Sequence, residues 1–312
     1  MSHRDTSYRA CAAPSSAFAW APTLVREEMK YWLLRPHVGL QALVRAYFIV
    51  EAGRRAAQKR ELHLPDGYSE LVFSFGAGFE RAPLADVRAV SRMARSYVIA
   101  ARSHSVVTTD RGDVRVIGVK LEPRMLQTML GLPFTELRDS TVELRDLNLP
   151  ALCDLEDALA ACLSARETVA TLDRFFLALR AEAIVKDCVD RFVDRIRAER
   201  GALKISDCVR GSGMDERTFE RSFLSRMGMT PKRYARIVRF KHAYRALLAR
   251  SEQSDRTQAN PASYLDGYYD QSHFYKDFRF FTGTSPASVL TSRAPTSMAV
   301  TTHLLQGELS LA

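Results

Sequence analysis

Apolar residues recur along this chain with two different periods, and the period changes near residue 123. Before that point, short runs rich in β-branched and aromatic residues alternate with turn residues: QALVRAYFIVEAG (41–53), ELHLPDGYSELVFSFG (61–76), RSYVIAARSHSVVTTD (95–110) and DVRVIGVKLEP (113–123). Pro65, Asp66 and Gly67, and later Arg111, Gly112 and Asp113, punctuate these runs, so the pattern predicts strands of a sheet or small barrel. After Pro123 the apolar spacing becomes three and four residues. PRMLQTMLG predicts a short helix stopped by Gly131, and 151–165 and 167–200 predict longer ones. Leu152, Leu155, Leu159 and Leu163 form one stripe, which belongs to a core or, alternatively, to a helix-pair contact between two copies. Residues 1–20 and the last 20 or so show no sustained period and read as tails.

The third quarter of the helical half repeats. Shifting the chain by 55 residues lays DERTFERSFLSRMGMTP (215–231) on DQSHFYKDFRFFTGTSP (270–286), with Asp215 on Asp270, Phe219 on Phe274, Arg221 on Lys276, Phe223 on Phe278, Gly228 on Gly283 and Pro231 on Pro286. In each copy the aspartate stands where an N-cap is wanted, because its carboxylate can accept from the free N–H groups of a first turn. At about 100° per residue, Phe219 and Phe223, like Phe274, Phe278 and Phe281, share one face that must be buried. Arg217 and Arg221, and Ser272, Lys276 and Arg279, project from the opposite face. A glycine ends each helix, and G-x-[ST]-P then caps the next. Before Gly213, ALKISDCVRG predicts a leading helix with Leu203, Ile205, Cys208 and Val209 inward. A leading helix, a glycine turn and a second helix with a polar outer face make a helix-turn-helix, whose second helix enters the DNA major groove. The intervening stretch, Lys232 to Ala249, predicts an amphipathic helix with Ile237, Phe240, Tyr244, Leu247 and Leu248 inward, able to hold two units about one DNA turn, ~34 Å, apart.

Charge sharpens this picture. The net charge is +9, which favours an anionic partner. Between Ile184 and Leu290 stand 20 Lys or Arg against 13 Asp or Glu, so most of the excess lies with the repeat. Arg226 to Arg250 carries eight basic residues and no acid, which suits phosphate contact and would equally suit a solvated helix face.

R-T-F-x-R-x-F…G-M-T-P-K-R-Y…R followed by G-Y-Y-D-Q-S-H-F-x-x-D-F-R-x-F-T-G-x-S-P resembles the double helix-turn-helix signature of the AraC/XylS family of bacterial transcription regulators, over about Ala183 to Leu290. The first half, through LPDGYSELVFSFG and VIGVKLEP…LGLPFTELRD…VELRDL, resembles N-terminal domains found ahead of such regulators. The fold implied is α+β: a β-rich N-terminal domain followed by an all-α C-terminal domain with two helix-turn-helix units joined by a linker helix. The expected division is a flexible start (1–20), a β-rich sensing or dimerisation domain (21–150), a helical connector (151–182), the DNA-binding domain (183–290) and a tail (291–312). By the family's pattern Arg217, Glu220 and Arg221 read bases for unit one, and Gln271, Ser272, His273 and Lys276 for unit two. Arg suits guanine, Gln adenine, and Glu the cytosine amine. Lys232, Arg233, Arg236, Arg239 and Arg279 are expected to hold phosphates and so to position the duplex. One departure stands out: QANPASYLD puts Pro261 where family members carry alanines and aliphatics, so the second unit's leading helix is expected to be short and to begin at Asn260 or Pro261.

Other chemistry is sparse. The five cysteines are scattered without a C-x-x-C pair, and His63 and His104 lack partners at metal-ligand spacing. GAG (76–78) lacks the third glycine of a dinucleotide fingerprint and predicts a hairpin turn. The P-C-H-R motif of alkylation-repair proteins with similar helix-turn-helix units does not occur. No cofactor, metal or membrane partner is expected, and no run is long enough for a membrane helix, so the chain is expected in the cytoplasm. The expected partners are double-stranded DNA and, with it, RNA polymerase, a small-molecule effector and a second copy of the chain. The alternative is a DNA-targeted enzyme with a catalytic N-terminal domain.

Overall fold

The computed structural model describes residues 24–26, 29–53, 60–93, 95–179, 186–210, 213–252, 265 and 267–291. The expected N-terminal tail, nearly all of the C-terminal one, and the short leading helix at Asn260 or Pro261 lie outside the described residues. The first half contains strands β1 (Leu24–Arg26), β2 (Met29–Leu34), β3 (Val44–Ala52), β4 (Arg60–His63), β5 (Ser69–Ser74), β6 (Phe79–Pro83), β7 (Ser91–Arg92), β8 (Ser96–Ile99), β9 (Val106–Asp110), β10 (Val114–Leu121) and β11 (Thr141–Glu143). They form two antiparallel sheets, one in the order β1-β2-β3-β10-β5-β8-β11 and one in the order β4-β9-β6-β7.

Period-two burial fixes how the large sheet faces. In β10, Ile117, Val119 and Leu121 point to one side, while Val114 and Val116 point to the other with Phe48, Val72, Tyr97 and Ile99. The second side faces the small sheet, and Tyr31 Oη donates across the gap to Glu61 (3.0 Å). Turns expected between neighbouring strands instead carry the chain from sheet to sheet. GAG is such a case: it joins β5 to β6, which do not pair, so it is a crossing and not the expected hairpin.

Helix α1 (Pro123–Leu130) ends at Gly131 with φ +65°, as the sequence predicts. With α2 (Pro150–Ala161) and α3 (Ala165–Leu179) it covers the outer face of the large sheet, where Leu152, Leu155, Leu159, Leu172 and Phe176 join Tyr47, Leu71 and Phe73 in one core. The stretch expected as a connector is thus packed into the β domain's own core. Leu163 does not belong to the stripe: α2 stops at Ala161, Cys162 turns extended, and Leu163 is 91% exposed.

The second half holds α4 (Cys188–Ala198), α5 (Ile205–Arg210), α6 (Glu216–Met227), α7 (Pro231–Glu252), α8 (Gln271–Thr282) and α9 (Pro286–Thr291). Phe192, Phe219, Phe223, Tyr234, Phe240, Phe274, Phe278 and Phe281 build its core, which also takes in Leu62, Leu64 and Ala101 from the β half. Apolar packing therefore runs on from one half into the other. Gly67, at φ +82° on the β side, lets its backbone lie against the Tyr234 ring, where a Cβ would come within 2.5 Å.

Candidate nucleic-acid interface

Helices α5 and α6 form the first predicted unit. Asp215 caps α6 by accepting from Thr218 N–H (2.9 Å), and Gly228 closes it at φ +67°. Phe219 and Phe223 are fully buried, each edge-on to Phe192 with ring centroids 4.7 and 5.7 Å away. Burying a phenylalanine contributes about 1.5–3 kcal/mol, so this face fixes the helix's rotation. Arg217, Glu220 and Arg221 are consequently exposed together on the opposite face.

Helix α8 repeats the construction. Asp270 accepts from His273 N–H (2.7 Å), Gly283 stands at φ +73°, and Phe274, Phe278 and Phe281 are fully buried. Gln271, Ser272, Lys276 and Arg279 are exposed. His273 is only half-exposed, because its ring lies edge-on to Tyr268 at 5.2 Å. Between the units, α7 is 22 residues long, or about 33 Å at ~1.5 Å per residue. Ile237, Phe240, Tyr244, Leu247 and Leu248 are buried along it, as their spacing predicts.

The expected phosphate contacts divide. Lys232 and Arg279 are exposed. Arg233 instead donates twice to Ser103 O (3.0 and 2.7 Å) and lies 4.6 Å over the Phe280 ring. Arg236 donates to Asp277 (2.7 Å) and stacks 4.4 Å over the same ring. Arg239 lies 4.9 Å over Tyr268, with a nitrogen 3.9 Å from Asp277. These three guanidiniums each have a partner inside the protein. A helix face free of acids looks solvated in sequence, but α7 runs between the β domain and α8, and its cations find acceptors on both.

Asp277 is a residue that sequence reasoning missed. Its side chain is 3% exposed and also accepts from Tyr268 Oη (3.2 Å), so one buried carboxylate joins α7, α8 and the turn before α8. Burial and this carboxylate push the Tyr268 phenol above its ordinary pKa. The signal was present: Asp277 lies three residues after Phe274 and four before Phe281, which puts an acid on the buried face, where a cation must meet it. The first copy has Ser222 at that position.

The β half is tied directly to this region. Arg197 on α4 makes a two-oxygen bridge to Glu122 (2.8 and 2.9 Å) and donates to Tyr234 Oη (2.7 Å). Phe134 N–H and the Gln127 amide donate to Ser225 O at the end of α6, and Ser105 Oγ donates to Phe281 O at the end of α8. Both candidate reading helices are thus held at their C-terminal ends, which leaves their outer faces uncovered. Among the described residues no three His, Cys, Asp or Glu side chains gather as metal ligands, and no helix is long and apolar enough to cross a membrane.

Residues 208–292 match the family described as a helix-turn-helix domain, and residues 33–143 match a domain of unknown function (DUF6597). No curated protein matches the chain. Among solved structures, an apo ToxT variant from Vibrio cholerae is similar at 10% identity and a TM-score of 0.43, covering 85% of this chain and 97% of that one. Unsaturated fatty acid bound wild-type ToxT from the same species is similar at 9% identity and a TM-score of 0.42, covering 77% and 98%. KdgF from Halomonas sp. is similar to 32% of this chain over 85% of its own, at 10% identity and a TM-score of 0.23.

Proposed function

We propose that this chain, whose residues 208–292 match a helix-turn-helix domain family, is a DNA-binding transcription regulator of the AraC/XylS type that reads two adjacent major grooves of one duplex with α6 and α8. Arg217, Glu220 and Arg221 read bases in the first groove, and Gln271, Ser272, His273 and Lys276 in the second. Lys232 and Arg279 hold phosphates, while Arg233, Arg236 and Arg239 act by bracing α7 and α8. The observation that carries this reading is the repeated frame: the same aspartate cap, buried phenylalanines and glycine stop leave a polar, exposed face on both helices. The β domain serves as the input, sensing a small molecule or pairing two copies of the chain, and bound DNA is presented to RNA polymerase in the cytoplasm. The protein acts as a regulator and not as an enzyme.

Gel-shift binding to fragments of its own promoter region, against random duplex, tests this. Wild type should prefer a promoter fragment, and Arg217→Ala, Arg221→Ala and Lys276→Ala together should remove the preference, since each good bidentate base contact discriminates by about 1–3 kcal/mol. A wild type without preference, or a triple variant that keeps it, overturns the reading.

A further inference from the structure

Helices α6 and α8 share a frame but not an outer face. The 55-residue shift that lays one copy on the other puts Ser272 on Arg217, Tyr275 on Glu220 and Lys276 on Arg221. Of these three positions only the last keeps its chemistry. An arginine suits guanine and a glutamate the cytosine amine, so α6 is built to face G·C pairs. Neither Arg217 nor Glu220 has an equivalent group in α8, and what stands in place of Glu220 is an aromatic ring.

That ring is held in place without being buried. Tyr275 is 38% exposed, beside the fully buried Phe274, which meets it edge-on with centroids 5.9 Å apart and planes at 88°. Its hydroxyl accepts from the Gln271 amide nitrogen one turn earlier (3.4 Å). A glutamine amide directed this way keeps its carbonyl oxygen and its second N–H for a base, and those two groups match N6 and N7 of adenine. The other exposed ring of the helix, Phe280, already has Arg233 and Arg236 over its face at 4.6 and 4.4 Å. Tyr275 is therefore the ring of α8 that a base can meet.

We infer that Tyr275 is a specificity-determining residue: its ring meets the C5-methyl group of a thymine, next to an adenine held by Gln271, so the half-site of α8 is read as A·T pairs where that of α6 is read as G·C. Among base edges in the major groove, only thymine offers an apolar group to a ring. Burying one methyl group against Tyr275 favours thymine over uracil by about fourfold. The inference rests on α8 entering a major groove, as proposed above, but that reading holds for a half-site of any sequence and does not itself choose the base.

In the test, the full chain first selects its preferred duplexes from a random pool. The half-site whose preference is lost in Arg217→Ala with Arg221→Ala belongs to α6, and the other to α8. Deoxyuridine then replaces each thymine of the α8 half-site in turn, which removes a methyl group and leaves base pairing intact. One replacement should weaken wild-type binding about fourfold. The same replacement should make no difference to Tyr275→Ala, and should still weaken Tyr275→Phe, which keeps the ring. Tyr269→Ala removes a 96%-exposed ring in the turn ahead of the helix and should respond as wild type does. An α8 half-site without a conserved thymine, a wild type indifferent to every uracil, or a uracil effect that survives in Tyr275→Ala or vanishes in Tyr269→Ala overturns the inference and leaves two-groove reading standing. Should Tyr275→Ala not fold, the wild-type uracil scan together with Tyr269→Ala decides by the same outcomes. A pool that yields no preferred sequence overturns the regulator reading and this inference with it.

Discussion

Asp277→Ala should loosen α8 while leaving α6 in place. The substitution removes the acceptor of Arg236 (2.7 Å) and Tyr268 (3.2 Å) and a carboxylate 3.9 Å from Arg239. A hydrogen bond to a charged group contributes about 1.5–3 kcal/mol, and a neutral donor adds to it. The Arg236 and Arg239 side chains are 28% and 18% exposed and can turn partly to water, so a total of about 2–3 kcal/mol is expected rather than the ~3–5 of a fully buried pair. At about 1.4 kcal/mol per factor of ten, the amides of α8 should exchange about 30- to 140-fold faster. Native-state hydrogen exchange measures this directly, with α6 as the internal standard. Asp277→Asn keeps an oxygen acceptor and should show a smaller effect. A double-mutant cycle with Arg236→Ala should give a coupling of at least about 1 kcal/mol. Exchange in α8 that rises less than about threefold, or that rises equally in α6, would falsify the claim that this carboxylate anchors the second reading helix.

Burial, and after it the fields of Arg102, Lys120 and Arg81, hold His63 at a pKa of about 3, whereas the unfolded chain protonates it near 6.5. The unfolded state alone takes up the proton between these values, so stability falls as pH drops below about 6.5, by up to ~1.4 kcal/mol per pH unit. Urea unfolding at pH 7 and pH 5 should differ by about 1–2 kcal/mol more in wild type than in His63→Gln, and equal differences would refute the assignment. Gly118 pairs with Phe48 in the register of β10 and β3, and a Cβ there would lie 1.9 Å from the ring. Gly118→Ala should cost about 1–3 kcal/mol or more in denaturant unfolding, and Phe48→Leu should recover part of it; no recovery would place the strain elsewhere. Lys232→Ala and Arg279→Ala should each lower the salt dependence of promoter binding by about one unit of log–log slope without changing sequence preference, and a changed preference would make either residue a base reader.

What the sequence disclosed was what local signals encode. Asp215, Gly228, Asp270 and Gly283 mark helix ends within a few residues of the groups they cap, and the phenylalanine spacing needs only one helix to be read. The division into two sheets depends on pairings such as β3 with β10, whose strands lie far apart in the chain, and no period in either strand names its partner. Turn residues at 65–67, 76–78 and 111–113 were legible as turns, but a turn inside one sheet and a crossing between two use the same residues. Leu163 kept the apolar interval beyond the point where the helix had ended. For the site, exposure of Arg217 and Lys276 followed from rotation about one axis. The placement of Arg233, Arg236 and Arg239 did not, because it depends on Ser103 and Asp277, which come from other elements.

The continuous helix α7 also sets a phase. One residue inserted among its exposed positions would turn everything after it by about 100° and advance it by only ~1.5 Å, so the second reading helix would face away from the duplex long before it became too distant. Seven inserted residues bring the facing back to within about 20° and add ~10 Å, close to three base pairs at ~3.4 Å each. Footprints of insertions placed ahead of Arg236 and Phe240, which carry Asp277 and Phe281 of α8, should therefore come and go with helical pitch and not decay with length.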